Sequence, residues 1–201
     1  MSATATWTIY LLAKHPEIQQ KLRSEIHSRI GLKCPQDLPE KDLASLMESV
    51  PLLDAICNEA LRLYPALHMI RRISSKFNHI LGTAIPKGTA VIVAPWVINR
   101  SPHLWGPDSE VFHPQRWIND TTGTFNQRGG AVQDYCMLSF SQGIKGCVGQ
   151  EYARMELKAL VAAFVHAFDI ELAEPIGSIF PTEIPPSRPL RGMKFKLTKI
   201  N

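Results

Sequence analysis

One residue constrains this chain more than any other: Glu59 interrupts the apolar stripe of a helix. Pro51 suits the first position of that helix, and Leu52, Ile56, Ala60 and Leu63 recur at helical spacing until Tyr64-Pro65, where the proline turns the preceding residue out of helical geometry. Glu59 falls between Ile56 and Leu63 on the apolar side, so a charge stands where burial is expected. Arg62 is one turn further on and within reach. Two readings follow. The pair is either an exposed i,i+3 contact contributing a few tenths of a kcal/mol, or a buried pair that needs a third group to satisfy its remaining donors and acceptors.

Two hundred and one residues, 45% of them hydrophobic, suffice for one sizeable domain or a fraction of a larger one and exclude a disordered tail. With 22 Lys+Arg against 18 Asp+Glu the net charge is only +4, which gives no reason to expect nucleic acid as a partner. The longest apolar run, Ala90 to Ile98, includes Pro95 and falls far short of the roughly 20 residues of a membrane span. No span or secretory signal is expected in this chain. The cysteines at 34, 57, 136 and 147 form no C-x-x-C pair, so neither structural zinc nor a disulfide framework is expected, and a reducing compartment follows.

The periodicity predicts a mainly α chain with small β hairpins, an α+β class. Ser2 to Ala13 reads as a helix without an introducing cap, cut at its start, with Trp7 and Tyr10 expected on an exposed, adhesive apolar face. Pro16 and Glu17 open a second helix, carried by Ile18, Leu22, Ile26 and Ile30 and stopped at Gly31. Ile85-Pro86-Lys87-Gly88 reads as a type I turn leading into Val91, Ile92 and Val93, which predicts a hairpin. From Asn99 to Tyr135 no period persists, yet Trp105, Phe112, Trp117 and Phe125 require something to pack on. A last long helix is predicted from about Val148 to Ala167, with Tyr152, Met155, Ala159, Ala163 and Ala167 on one face. Met193, Phe195 and Leu197 then alternate as a closing strand.

The strongest local signal precedes that helix: Phe140-Ser-Gln-Gly143-Ile-Lys145-Gly146-Cys147-Val-Gly149. Its glycines allow tight turns and close approach to a flat ligand. The amides at a helix N-terminus stabilise a thiolate, an environment that suits a metal-bound cysteine. The alternative is a buried cysteine in a tight turn.

Taken in order, Glu59-x-x-Arg62, Phe112-His-Pro114-Gln-Arg116-Trp117 and Phe140-x-x-Gly143-x-Lys145-x-Cys147-x-Gly149 resemble the cytochrome P450 family. The opening Ala5 to Glu17 is similar to the family's central helix running into the next, so the resemblance spans the whole chain. Gly123-Thr-Phe-Asn, Gly129-Gly130 and Asp134-Tyr135 are similar to the meander of filamentous-fungal members.

The resemblance implies the C-terminal, haem-binding portion of that fold, an incomplete domain over residues 1–201. It makes Cys147 the axial thiolate of haem b, pushing electron density toward the iron, with Phe140 beside it and Gly143 and Gly149 shaping the loop. Glu59, Arg62 and Arg116 become a buried triad tying the third helix to the meander. Arg72 falls where the family places a donor to a haem propionate, with Arg71 as its competitor. Lys145 stands where Arg or His is usual; it keeps the charge and loses the planar fork. Ala66, Leu67, His68, Met69 and Ile70, with Ile179 and Phe180, are expected to line a pocket for a small apolar organic substrate.

The implied activity is monooxygenation in secondary metabolism, inserting one oxygen atom from O2 with electrons from an NADPH-dependent reductase. The competing expectation is a non-catalytic, truncated haem-binding remnant; a third is an oxygen-independent reaction on peroxides. The family's acid and alcohol pair falls just upstream of Ser2, Met1 standing at or beside its second threonine, so no catalytic proton-delivery residue is named in this chain. A full-length member is expected on the cytosolic face of the endoplasmic reticulum membrane, and this chain made alone in the cytosol. An in-frame upstream segment carrying the pair separates enzyme from remnant. Supplied with a reductase, the 201-residue chain alone is expected to consume reductant and release hydrogen peroxide without hydroxylated product, because a site open to water loses its oxidant. Coupled product formation by the short chain, measured beside an upstream-extended version, would refute this.

Overall fold

The computed structural model describes residues 2–30, 49–175, 179–182 and 185–200. Its helices are α1 (Ser2–Lys14), α2 (Pro16–Ile30), α3 (Pro51–Leu63), two single-turn helices α4 (Pro95–Ile98) and α5 (Pro102–Trp105), and α6 (Gln150–Ala167). Proline occupies the first turn of α3, α4 and α5, where its missing N–H has no intrahelical role. The Gly31 stop and Cys34 lie outside the described residues.

The helices α1, α2, α3 and α6 all pack on one another. Leu12, Leu22, Leu53, Ile56, Leu157, Val161 and Val165 are fully buried between them. α3 is central, with every residue from Ala55 to Leu63 buried, so it has no solvent face and depends on its neighbours throughout. A second cluster forms around Ala55, Trp105, Trp117 and Cys136, beneath the irregular stretch.

The strands make three separate two-stranded antiparallel ladders. β1 (Ile70–Ile73) pairs with β4 (Ala90–Val93), placing Arg72 opposite Val91, and β2 (Asn78–Ile80) pairs with β3 (Thr83–Ile85). β5 (Phe168–Leu172) pairs with β6 (Phe195–Lys199), which holds Phe195 and Leu197 of the expected closing strand and begins after Met193. This corrects the hairpin expected across residues 85–88. The turn exists, but the Thr89 amide closes it onto the Pro86 carbonyl at 3.2 Å, one residue later than expected. Gly88 then takes a φ of +88°, the geometry of a type II turn, and the two strands it joins belong to different ladders.

Two apolar faces also differ from expectation. Trp7 and Tyr10 are 1% and 5% exposed, so α1 presents no adhesive patch through them. Trp7 stacks on Tyr64 at 4.2 Å between ring centroids and donates its indole N–H to the Ser187 carbonyl at 3.1 Å. On α6 the buried stripe is Ala153, Leu157, Val161 and Val165, while Tyr152 and Ala163 face solvent. α2 meets α6 through Arg23, which donates to the Val165 and Phe168 carbonyls at 2.9 and 2.8 Å and so satisfies the end of α6. Gln19, 1% exposed, exchanges hydrogen bonds with both backbone groups of Ile170 and fixes β5 to α2. Among the described residues no helix is long and apolar enough to cross a membrane.

Gly129 has a φ of +57°, and a Cβ placed there would stand 2.7 Å from the Trp117 ring. Gly129→Ala is therefore expected to cost about 1–3 kcal/mol from overpacking and a further 1–2 kcal/mol or so from the left-handed backbone. Gly123, at φ +67° with open space around it, carries only the backbone part. Thermal melts of the two variants should rank Gly129→Ala clearly below Gly123→Ala; equal melting temperatures would remove the steric argument.

Candidate haem-thiolate site

Glu59 and Arg62 are both 0% exposed, which selects the buried reading of their spacing. Arg62 directs its Nε to Glu59 Oε2 at 2.8 Å and its Nη2 to Oε1 at 2.7 Å, the bidentate fork that a guanidinium makes with a carboxylate. Its other three donors go to the irregular stretch. Nη1 reaches the carbonyls of Asn99, at 2.7 Å, and Ser109, and Nη2 reaches that of Val111 at 3.3 Å. Every N–H of the guanidinium is thereby used.

The carboxylate is as fully engaged. Glu59 Oε1 also accepts from Arg116 Nε at 3.1 Å and from the His113 amide at 3.0 Å, and Oε2 accepts from Trp117 Nε1 at 2.9 Å. Glu59, Arg62 and Arg116 thus meet, with a single-turn 3-10 helix, Pro114–Trp117, delivering both Arg116 and Trp117. Arg116 continues to Asp108 Oδ2 at 2.6 Å. The hydrogen bond from His113 and the charge of Arg116 hold the Asp108 carboxyl below its ordinary range. Trp105 lies across Arg62 at 5.0 Å from its ring centroid.

A second set of bonds runs from this network to the cysteine loop. Asn99, 0% exposed, returns a bond from Nδ2 to the Arg62 carbonyl, donates to Ser139 Oγ at 2.9 Å and accepts from the Leu138 amide at 2.9 Å. Ser139 donates onward to the Leu61 carbonyl at 2.6 Å. The adjoining Phe140 carbonyl accepts the Cys147 amide at 2.9 Å, closing the loop. Sequence reasoning assigned no role to Asn99, His113 or Trp117 here; Trp117 stood inside the quoted motif, and Asn99 had no local signal at all.

Within the loop Gly143 has a φ of +71°, and a Cβ on Gly146 would meet the Gly143 carbonyl oxygen at 3.1 Å. Cys147 is exposed, unlike the buried Cys57 and Cys136. Ile144 and Val148, on either side of it, are fully exposed at 101% and 105%. Cys57 lies on the buried face of α3, where desolvation and the neighbouring Asp54 push its thiol far up. Phe140 packs against the core, with Arg154 over its ring at 5.3 Å. α6 begins at Gln150, whose amide reaches the Cys147 carbonyl at 3.4 Å.

The remaining expected residues are less concentrated. Arg71 and Arg72 are both exposed on β1, and strand alternation sends them to opposite faces. Lys145 is exposed at the end of its 3-10 turn. The Ala66 carbonyl accepts the Ser187 amide at 2.8 Å and the Phe180 carbonyl accepts the Leu190 amide at 2.8 Å, which brings the two expected lining segments to one region. Leu67, Met69 and Phe180 are exposed there, while His68 and Ile70 are half-buried and Ile179 packs on the core. A separate cavity of about 620 Å³ is bounded by Trp105, Trp117, Phe140, Arg154 and Lys158, and none of those lining segments reaches it.

An exposed thiol thus stands on a glycine-shaped loop braced against a buried Glu–Arg–Arg network. The family model for cytochrome P450 matches residues 1–188. The chain is 40% identical over 200 residues to cytochrome P450 monooxygenase ptmK of Penicillium ochrochloron, covering 99% of this chain and 38% of that protein. It is 37% identical to monooxygenase sphH of Aspergillus fumigatus, covering 96% and 35%, and 41% identical to monooxygenase FSL4 of Gibberella zeae, covering 90% and 32%. The chain belongs to the cytochrome P450 family, and it spans about a third of the length of the curated relatives it matches. The exposed thiol, the apolar Ile144 and Val148 beside it and Gly146, where a Cβ would crowd the Gly143 carbonyl, fit the haem that the family implies.

Removing the Glu59 carboxylate strands two guanidinium groups in the interior. Glu59→Ala and Arg62→Ala are each expected to cost on the order of 3–5 kcal/mol, a large share of the roughly 5–15 kcal/mol that holds a domain together. The expected result is insoluble or unfolded protein. A soluble Glu59→Ala chain with unchanged melting and haem content would refute a structural role for the triad.

Proposed function

We propose that the chain is the haem-ligating part of a haem-thiolate monooxygenase acting on an apolar organic substrate, with electrons from an NADPH-dependent reductase. The observation that carries this reading is Cys147, the exposed cysteine among the described residues, on the loop whose form the family motif requires. Haem bound there supplies oxygen activation, favoured by the electron density a thiolate gives to iron.

The chain's own residues do the rest. Cys147 holds the iron through Sγ, and its backbone bond to Phe140 keeps the thiolate on a braced loop. Ile144 and Val148 cover apolar macrocycle surface and keep water from it. Lys145 and Arg72 offer cations to the propionates, Lys145 as a point charge without the planar fork of arginine. Leu67, Met69 and Phe180 give the substrate an apolar wall, and His68 adds a polar group that orients it.

The reduced, carbonyl-bound spectrum of haem-loaded protein tests the assignment. Cys147→Ser is expected to abolish the red-shifted Soret band of thiolate-ligated haem, whereas Cys34→Ser, Cys57→Ser and Cys136→Ser retain it. Persistence of the band in the Cys147 variant would overturn the proposal.

A further inference from the structure

Away from the cysteine loop, two histidines from different helices meet where α2 crosses the end of α6. His27 Nε2 and His166 Nδ1 stand 3.1 Å apart, their rings nearly perpendicular at 81° with centroids 5.1 Å apart. We propose that this pair is a binding site for a borderline-soft divalent transition ion of the zinc or nickel type, chelated by His27 Nε2 and His166 Nδ1.

The separation is that of two ligands on one ion. Imidazole nitrogens lie about 2.0–2.1 Å from zinc, so two of them sharing an ion are about 2.9 Å apart at a right angle and about 3.3 Å apart at the tetrahedral angle. The observed 3.1 Å falls between these limits. Imidazole is also the ligand that suits zinc, copper and nickel, whereas magnesium and calcium prefer oxygen.

The backbones that carry the two rings are fixed before any ion arrives. Arg23, one turn before His27 on α2, is bonded to the Val165 and Phe168 carbonyls on either side of His166 and to Asp169. Such bracing holds ligands in position at little further cost in order. The present hydrogen bond places one proton between the rings. Chelation needs the donating ring to carry its proton on the outer nitrogen, His27 on Nδ1 or His166 on Nε2, and both rings to turn so that their lone pairs converge on one point off the line joining the two nitrogens. Two neutral rings then bind the ion with no proton lost or gained. No third His, Cys, Asp or Glu joins the pair among the described residues, so water completes the coordination and the site remains open to an external ligand.

Nickel(II) titrated into the full chain by calorimetry tests this. One ion per chain is expected, with at least tenfold weaker binding in His27→Ala and in His166→Ala. His79→Ala, on the exposed β2, and Cys147→Ser should leave the titration unchanged. Because His27 is exposed, its variant should keep the wild-type melting temperature without metal and lose only the nickel-dependent increase. Equal nickel affinity in the wild type and both histidine variants would overturn the site, as would loss of binding in Cys147→Ser alone.

Discussion

A single carboxylate organises this molecule. Glu59 is taken wholly out of water, a transfer that is tolerable only because guanidinium, indole and backbone donors surround it. The donors come from two stretches of chain, Arg62 from α3 itself and His113, Arg116 and Trp117 from the 3-10 turn and the residue before it. The carboxylate therefore fixes the rotation of α3, the seat of the 3-10 turn that carries Arg116 and Trp117, and the course of the segment between Asn99 and His113. That segment has little repetitive structure of its own. Its carbonyls at 99, 109 and 111 are satisfied by Arg62, so one side chain does for the backbone what a helix or ladder does elsewhere.

The cysteine loop inherits its position from the same centre. Asn99 ties the Arg62 backbone to Ser139 and Leu138, and the next residue, Phe140, receives the Cys147 amide. A side chain with no exposed atoms thus stands a few hydrogen bonds from the most exposed thiol described. Rigidity at the loop is borrowed from the interior, and the surface residues around it are left to contact a ligand.

The sequence made some of this legible and hid the rest for identifiable reasons. α2 and α3 were readable at their starts because proline marks them, and Glu59 announced itself by breaking an apolar stripe. The orientation of α6 was not readable. Tyr152 and Ala163 keep helical spacing as well as Leu157, Val161 and Val165 do, Met155 and Ala159 between them pack partly on the core, and only the positions of α1, α2 and α3 decide where the buried stripe is centred. Trp7 was misjudged because its cover, Tyr64 and the Ser187 carbonyl, is remote in sequence. The turn at Gly88 was visible, yet turn chemistry does not say which strands pair. Asn99 is the hardest case: its three roles are all made with distant residues.

The four tryptophans fall into two groups, one around Tyr64 just past the end of α3 and the other alongside α3 at Ala55 and Arg62. Trp7 and Trp96 gather around Tyr64, with Arg100 laid on Trp96 at 3.4 Å, and Trp105 and Trp117 lie 5.8 Å apart beside Arg62 and Ala55. α6 and the cysteine loop contain none. In the chain without haem, which would quench indole emission by energy transfer, the ultraviolet emission and near-ultraviolet dichroism are therefore optical reports on the surroundings of one helix, and rearrangement confined to the thiol loop leaves the indole signals in place.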